Sequence, residues 1–362
     1  MRLLHTKTLK LETFIGARRP HYAILSHTWG DDEVLFEDIQ GKSVKKWKSK
    51  AGAGKVLKFA EICADLGIAY IWIDTCCIDK SSSSELSEAI NSMYKWYQNS
   101  LVCYAYLSDI DSTKPKNLRI KDAPFRESQW FRRGWTVSLN YKQLQELIAP
   151  ADVQFSDQEW RLMGERANLA EMIHRITGID ESLLRNNNAD SISSNLRGCS
   201  VHTKMVWASG RITTRVEDRA YSLMGGGGRA FARLQEEIIK RTNDQSILLH
   251  GAGVFGDHLA ESPNDFKPYD KFLKSLICHN LPFQKTRGGV DVSLGLYPTQ
   301  SSRSFWGIIE AYFSDDPLQL DRPAIQLGSS GRDSKYQRED QTIYRVRPGD
   351  EGQMEVVGET GS

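Results

Sequence analysis

The 362-residue sequence lacks an excess of either charge, because 47 Lys and Arg residues face 46 Asp and Glu residues, for a net charge of +1. Without a basic excess there is no overall electrostatic reason to expect nucleic acid or an anionic membrane as the main partner. Long hydrophobic runs are also absent. The apolar stretches at 68–73 and 101–107 are far shorter than the roughly 20 residues that cross a bilayer. We therefore expect no nucleic-acid partner and no membrane span.

Cysteine is scarce, with six residues in the chain, none of them in C-x-x-C spacing, and the eight histidines are scattered. This number is too small for a disulfide scaffold of this length, and the spacing does not suit a structural zinc site. Residues 1–14 alternate Leu with polar residues and lack the apolar core of a secretory signal. The sequence thus predicts reduced thiols, a cytoplasmic location and no metal site.

Strand and helix patterns alternate in the first 110 residues. Apolar runs at 22–25, 68–73 and 101–107 predict strands, and helical spacing at 55–66 and 82–97 predicts two amphipathic helices between them. The run at 68–73 is apolar on both faces, as a strand covered by helices on both sides must be. This β-α-β-α-β order is typical of an open, mostly parallel α/β sheet.

The pattern changes after residue 150. Mixed helical segments follow, including a helix from about residue 230 to 241, and short alternating apolar runs lie between Gly, Ser and Asp turns from residue 288 onward. We predict three segments: an α/β domain at 1–150, a helical connector at 151–245, and a β-rich region at 246–362. The last residues, 349–362, are polar and are expected to be frayed.

Polar clusters follow the three predicted strands. Ser26–Gly30 comes after the first strand and Asp74–Cys76 after the second, while the segment after the third contains Trp130, Trp135 and Glu146. Ligands of open α/β sheets bind at the carboxyl ends of the strands, where the loops converge. We therefore expect these clusters to face one crevice.

Each of these residues also has a structural interpretation. Ser26 and Asp74 are common turn and cap formers, and His27 lacks an Asp or Ser partner at a recognisable spacing, which disfavours a Ser-His-Asp triad. Cys76 adjoins an apolar strand and is expected to be buried and inert. The string Ala51–Lys55 (AGAGK) lacks the full spacing of a phosphate loop and the Ser or Thr after its Lys, so we interpret it as a flexible lead-in to a helix.

Several strings together resemble the fungal heterokaryon-incompatibility (HET) domain over roughly residues 20–150. They are YAILSHTWG at 22–30, IWIDTCCIDK at 71–80, ELSEAINSMY at 85–94, WFRRGW at 130–135 and LQELIAP at 144–150. The strings WAS at 207–209, RITTRVEDRAY at 211–221 and FARLQEEIIK at 231–240 are similar to the segment that follows this domain in the family. The resemblance implies a cytosolic fungal protein of non-self recognition whose HET domain triggers programmed cell death.

The HET pattern is in turn distantly similar to TIR domains, which implies a flavodoxin-like open parallel sheet flanked by helices. In catalytic TIR domains a glutamate acts in cleaving the nicotinamide–ribose bond of NAD, and by motif position that residue here is Glu146. NAD would be the substrate, with no cofactor or metal. Cleavage develops positive charge on the ribose, which a carboxylate between aromatic walls stabilises. The residues expected to bind substrate are Ser26, His27, Trp29, Gly30, Asp74 and Trp135, with Trp29 or Trp135 stacked on a ring.

Two departures from the family pattern bear on activity. Val137–Gln143 intervenes between Trp135 and Glu146, and as a rigid helix it would move Glu146 by about 10 Å along the axis. As a loop it would leave both residues in place. The string Gly225–Gly228 replaces a longer family loop, so the sequence represents either a drifting paralogue or a misassigned exon boundary. The alternative function is a non-catalytic death-signalling module that self-associates or binds another incompatibility protein.

Overall fold

The structure, a computed structural model, describes residues 1–15, 19–41, 47–113, 123–132, 145–209, 228–242, 244–250, 259–260, 262–266, 273–275, 283–286, 289–292, 294–298, 304–309, 311–313, 322–329, 336–348 and 354–360. These residues divide between two compact units, one made of those up to residue 193 and the other of those from residue 194 onward. Nowhere along these ranges is a helix both long enough and apolar enough to cross a bilayer.

A seven-stranded sheet organises the described part of the first unit. Its strands are β1 (Arg2–His5), β2 (Leu11–Thr13), β3 (Tyr22–His27), β4 (Tyr70–Ile73), β5 (Val102–Tyr106), β6 (Val153–Ser156) and β7 (Leu162–Glu165). They lie in the order β2-β1-β4-β3-β5-β6-β7. The four central strands run parallel, and β1, β2 and β7 are antiparallel to their neighbours.

Helices connect and flank these strands. They are α1 (Phe36–Gln40), α2 (Ala53–Asp65), α3 (Asp74–Cys77), α4 (Ser83–Gln98), α5 (Ala123–Glu127), α6 (Gln129–Arg132), α7 (Gln145–Ile148), α8 (Ala170–Thr177) and α9 (Glu181–Leu184). The crossover from β3 to β4 passes through α2, and that from β4 to β5 passes through α4. In α4, Ser82 caps the amino terminus by accepting a hydrogen bond from the Glu85 backbone N–H, as the capping-box spacing predicts.

The apolar positions predicted from the sequence form the core of this unit. All six residues of β3 are buried, as are Ile71, Trp72 and Ile73 of β4, which accounts for the absence of polar alternation in these strands. The Trp72 ring packs edge-on against Trp96 of α4, with ring centroids 5.6 Å apart. The predicted open, mostly parallel α/β sheet of flavodoxin-like type is confirmed.

The first unit also departs from the sequence-based description. The amino-terminal hairpin of β1 and β2 was not predicted, because its strands are only four and three residues long. Strands β6 and β7 join the sheet beyond residue 150, so the segment predicted as a helical connector from residue 151 begins in the structure with sheet strands. The alternation in β6, where Val153 and Phe155 are buried, is too brief to distinguish a strand from helix by periodicity.

The second unit begins with helices. They are α10 (Ala189–Gly198), which continues from the first unit, α11 (Val201–Ala208), α12 (Gly228–Arg241), and the 3₁₀ turns Gln245–Leu248 and Pro263–Asp265. Helix α12 agrees with the predicted helix at 230–241. The buried side chains of Met205, Phe231, Phe266 and Ile325 belong to one apolar cluster.

Antiparallel strands make up the carboxyl-terminal part of the second unit. They are β8 (Leu273–Ser275), β9 (Phe283–Thr286), β10 (Gly289–Val292), β11 (Gly295–Pro298), β12 (Ser304–Ile308), β13 (Ala311–Phe313), β14 (Arg322–Ser329), β15 (Tyr336–Pro348) and β16 (Met354–Thr360). Five of the described strands form a sheet in the order β11-β12-β14-β15-β16. The predicted β-rich region is confirmed. The expectation of a frayed tail is wrong for residues 354–360, because β16 gains backbone hydrogen bonds along β15.

Candidate functional site

The candidate site lies at the carboxyl ends of the central strands. Strand β3 lies between β4 and β5, so the crossover from β3 to β4 and the crossover from β4 to β5 run in opposite directions along the sheet. In doubly wound sheets this is the point at which a ligand-binding crevice forms, beside the last residues of the strand. Ser26 and His27 end β3, and Asp74 directly follows β4. Two of the three predicted polar clusters therefore occupy the edge of the sheet where doubly wound proteins bind their ligands.

Ser26 holds the candidate catalytic carboxylate by a direct hydrogen bond. The Ser26 Oγ donates to Glu146 Oε2 over 2.5 Å and accepts from the Trp130 indole Nε1 over 2.8 Å. An indole N–H can only donate, so the single hydroxyl proton of Ser26 goes to Glu146. Ser26 is 1% exposed, whereas Glu146 is partly exposed. The structure thus brings together residues 26, 130 and 146. Trp130 belongs to the third predicted cluster, although it was not among the residues expected to bind substrate.

Glu146 is anchored from its carboxyl-terminal side. Glu146 lies on helix α7. Backbone carbonyls at the end of this helix and just after it accept hydrogen bonds from the buried guanidinium of Arg166. Arg166 donates to the carbonyl oxygens of Leu147, Pro150, Ala151, Leu184 and Asn186 over 2.5 to 3.0 Å. Burial lowers the pKa of Arg166 to about 10, which still leaves it charged at neutral pH. This cation lies at the helix C-terminus, where the backbone dipole favours positive charge.

His27 has a carboxylate partner after all. Its Nε2 lies 3.1 Å from Asp74 Oδ1, and the Trp29 indole Nε1 donates to Asp74 Oδ2 over 2.9 Å. Sequence spacing could not reveal this partner, because adjacent parallel strands bring residues 27 and 74 together across 47 positions of sequence. Asp74 thus links His27 to Trp29.

Three charged residues that were not predicted complete this cluster. Lys55 Nζ lies 2.6 Å from His27 Nδ1 and donates to Glu33 Oε1 over 2.6 Å. The same Glu33 oxygen accepts from the Gly30 backbone N–H over 2.7 Å, which is how the predicted residue Gly30 takes part. Lys80 Nζ lies 3.2 Å from the centroid of the Trp29 ring, a cation–π contact. Lys55 belongs to AGAGK, which leads into α2 as predicted and also brings its lysine to the cluster.

The thiols near the site are inert. The hydrogen bond with Cys77, together with burial, raises the pKa of Cys76 well above its ordinary value, and burial does the same for Cys103. Because a thiolate is the nucleophilic form, neither residue is poised to attack a substrate at neutral pH. Cys103 Sγ instead donates to the Glu146 carbonyl oxygen over 3.6 Å. The prediction of a buried Cys76 is confirmed.

Some predicted features cannot be located. Trp135, the insert Val137–Gln143 and residues 225–227 of the Gly225–Gly228 string lie outside the described residues. Within the described ranges, no group of three or more His, Cys, Asp or Glu side chains is arranged to hold a metal ion. The described site combines three carboxylates, two lysines, a histidine, a hydroxyl and indole rings, a set that suits binding of a polar ligand with a flat ring.

Comparison with known proteins identifies two regions of the chain. Residues 22–123 match the family described as Heterokaryon incompatibility protein (HET), and residues 229–279 match a family described as Domain of unknown function (DUF8212). The vegetative incompatibility protein HET-E-1 of Podospora anserina is 42% identical over 248 residues, which cover 61% of this chain and 16% of that relative. No solved structure matches the chain significantly. The match at 22–123 contains Ser26, His27 and Asp74, whereas Glu146 lies beyond its end.

Proposed function

We propose that the chain, whose residues 22–123 match the HET family, acts in fungal vegetative incompatibility and signals programmed cell death by cleaving NAD at Glu146. The incompatibility role is supported by the 42% identity to HET-E-1, of which this chain spans 16%. In this proposal the protein is cytoplasmic and NAD is its substrate. Its partner is a second copy of the chain or another incompatibility protein.

One observation carries the enzymatic part of the proposal: the hydrogen bond between Ser26 Oγ and Glu146 Oε2. It joins the last turn before β6 to the end of β3, so the carboxylate lies at the switch point of the sheet and not on its far side. The same contact is what we expect if the Val137–Gln143 insert does not displace Glu146 from the end of β3.

The chemistry follows from the residue types. The bond between nicotinamide N1 and ribose C1′ breaks, and nicotinamide leaves as a neutral molecule with the bonding electron pair. The ribosyl cation is stabilised by the Glu146 carboxylate, and a water oxygen then bonds to C1′ while its proton passes to solvent. Trp29 would provide the stacking wall. Because Lys80 covers one face of the Trp29 indole, a nicotinamide or adenine ring would stack on the opposite face.

A second candidate function is a non-catalytic signalling module that works by self-association. It is favoured by the extent to which the site residues satisfy one another. Ser26 pairs with Glu146 and Trp130, and Asp74 pairs with His27 and Trp29. A network closed in this way stabilises the loops at this edge of the sheet without any ligand.

The two functions are distinguished by nicotinamide release from NAD by the purified full chain, measured in dilute solution and under crowding that drives oligomerisation. The wild-type protein is expected to release nicotinamide, and Glu146→Gln to lose at least about 100-fold in kcat because it removes the charge that stabilises the transition state. The matched control is Glu171→Gln, whose side chain is 62% exposed on α8. Equal turnover by wild type and Glu146→Gln would refute the assignment, and an inactive wild type under both conditions would favour the signalling module.

A further inference from the structure

The string AGAGK, which the proposed function does not use, contributes a lysine to the edge of the candidate site. Lys55 lies in the first turn of α2, and its side chain is only 11% exposed. Its Nζ contacts Glu33 Oε1 and His27 Nδ1, each at 2.6 Å. Lysine is seldom so deeply buried unless its charge is paired, and Glu33, whose side chain is 4% exposed, provides that charge.

Close packing at Gly52 explains how Lys55 reaches the site. The Gly52 N–H donates to the Asp32 carbonyl oxygen over 2.9 Å, and the Ala51 N–H donates to Asp32 Oδ2 over 2.9 Å. A Cβ atom at Gly52 would lie 2.9 Å from the Asp32 carbonyl oxygen and 3.0 Å from Glu33 Cα. Only glycine therefore lets the start of α2 dock directly against the loop that follows β3.

The short contact between Lys55 and His27 favours one position for the histidine proton. Lys55 is an ammonium beside the Glu33 carboxylate, and an ammonium has only donors, so His27 Nδ1 must accept. A neutral imidazole that accepts at Nδ1 carries its proton at Nε2, and Nε2 lies 3.1 Å from Asp74 Oδ1. The groups that face the ring are Lys55 from α2, Asp74 from α3, the Glu33 carboxylate at 3.9 Å from Nδ1 and the Thr28 carbonyl oxygen at 3.2 Å from Nδ1. The Thr28 oxygen would accept from a proton on Nδ1, and the shorter contact of Lys55 with the same nitrogen, at 2.6 Å, opposes that arrangement.

We propose that Lys55 is a positioning residue that holds His27 in its neutral Nε2–H form and thereby orients Asp74 and Trp29. The order of contacts is Glu33, Lys55, His27, Asp74 and Trp29, each joined to the next by a hydrogen bond of 2.6 to 3.1 Å. The tautomer and the orientation of Trp29 do not depend on any activity. Only the consequence for substrate binding rests on the proposed NAD cleavage.

The tautomer is tested by NMR of the full chain labelled with ¹⁵N-histidine, with the His27 signals assigned by their loss in His27→Asn. At neutral pH the couplings between ring nitrogens and ring protons are expected to identify a neutral His27 protonated at Nε2. A ring protonated at Nδ1, or at both nitrogens, would overturn the proposal. This measurement needs no substitution at Lys55, so it is decisive even where a variant fails to fold.

The role of Lys55 is tested with Lys55→Met, Lys55→Arg and the control Lys58→Met, which removes an exposed ion pair with Glu61 one turn along the same helix. The Trp29 indole N–H signal, assigned by its loss in Trp29→Phe, is the second readout. Lys55→Met is expected to change the His27 tautomer and to shift the Trp29 indole signal. Lys55→Arg, which keeps a cationic donor, is expected to resemble the wild type more closely than Lys55→Met in both signals. Lys58→Met is expected to change neither signal. Unchanged His27 and Trp29 signals in folded Lys55→Met would overturn the proposal.

The effect of Lys55 on substrate binding is tested by measuring KM and kcat for NAD separately. Lys55→Met is expected to raise KM about 10-fold and to leave kcat within about threefold, because Trp29 binds a ring and does not touch the breaking bond. An unchanged KM alongside an altered indole signal would refute this consequence. A wild-type protein without NAD cleavage would refute the proposed function instead, and the two NMR readouts would still decide the role of Lys55.

Discussion

Ser26 shows how much a single hydroxyl contributes to the candidate site. It donates to Glu146 and accepts from Trp130, so Ser26→Ala removes a donor to the carboxylate and leaves a buried indole N–H without its acceptor. We expect kcat for NAD cleavage to fall about 10-fold and the free energy of unfolding to fall by about 1–3 kcal/mol. Steady-state kinetics and chemical denaturation measure the two effects.

Two further variants control the Ser26 prediction. Ser26→Thr keeps the hydroxyl and is expected to retain most of the activity. Ser81→Ala removes an exposed hydroxyl that donates to Asp79. It should leave kcat unchanged and alter the free energy of unfolding by no more than about 0.5 kcal/mol. Full activity in Ser26→Ala would mean that Glu146 is held by other contacts.

Among the secondary-structure elements, α2 offers a matched pair of glycines two residues apart. A Cβ at Gly52 meets backbone atoms at 2.9 to 3.0 Å, whereas a Cβ at Gly54 meets nothing within 4 Å. Gly52→Ala is therefore expected to lower the free energy of unfolding by about 1–3 kcal/mol through overpacking. Gly54→Ala is expected to raise it by about 0.5–1 kcal/mol, because alanine is the better helix former. Urea denaturation of both variants measures the difference, and equal effects would contradict the close docking of α2.

Helix α7 depends on Arg166, which follows β7. Arg166→Met would leave five backbone carbonyls without their donor, including that of Leu147 beside Glu146. We expect the free energy of unfolding to fall by more than about 3 kcal/mol. Arg166→Lys keeps the charge but has only three donors, so its free energy of unfolding should lie between those of the wild type and Arg166→Met. The control Arg175→Met removes an exposed ion pair with Glu171 and should cost less than about 1 kcal/mol. Denaturation curves that do not separate Arg166→Met from Arg175→Met would refute this role.

The sequence predicted elements whose signal is local. Strand β3, strand β4 and helix α4 were identified because apolar runs and a capping box each lie within a few consecutive residues. The short strands β1, β2 and β6 have three or four residues, too few for a period to be recognised. Strand β16 was missed because Glu355, Gly358 and Glu359 interrupt its apolar residues, and the strand is held by backbone pairing with β15.

The sequence predicted those site residues that lie at strand ends or within family motifs. Ser26, Asp74 and Glu146 stand at strand ends or in a family string, and the structure brings Ser26 and Glu146 into contact. Lys55 and Arg166 were not predicted, because their partners lie 15 or more residues away in sequence. Glu33 was not predicted because its cationic partner, Lys55, lies 22 residues away on α2. Contacts of this kind depend on register and packing, which no local pattern encodes.

For the molecule as a whole, the buried thiols and phenols set its stability at alkaline pH. Burial raises the pKa of Cys63 to about 12 and also raises those of Cys103 and Tyr22. The folded state therefore favours the neutral form, so this stability is fully present below about pH 9 and is lost as pH rises toward 12. We expect the free energy of unfolding under reducing conditions to be constant from pH 7 to 8.5 and to fall above pH 9.

A variant isolates the contribution of Cys63. Each group that ionises only on unfolding adds up to about 1.4 kcal/mol per pH unit to this slope. Cys63→Ala is expected to reduce the slope between pH 9.5 and 10.5 by up to that amount, whatever its effect on stability at neutral pH. An identical slope in the variant and the wild type would show that Cys63 ionises equally in both states.

The most direct measurement of the whole account is NAD content and viability, followed together in cells that express the full chain under an inducible promoter. Expression of the wild type is expected to deplete NAD before viability falls. Glu146→Gln at equal abundance is expected to preserve both NAD and viability. The exposed control Glu171→Gln is expected to behave as the wild type. Death at the wild-type rate in Glu146→Gln cells, with NAD intact, would contradict the claim that the carboxylate held by Ser26 carries the signal.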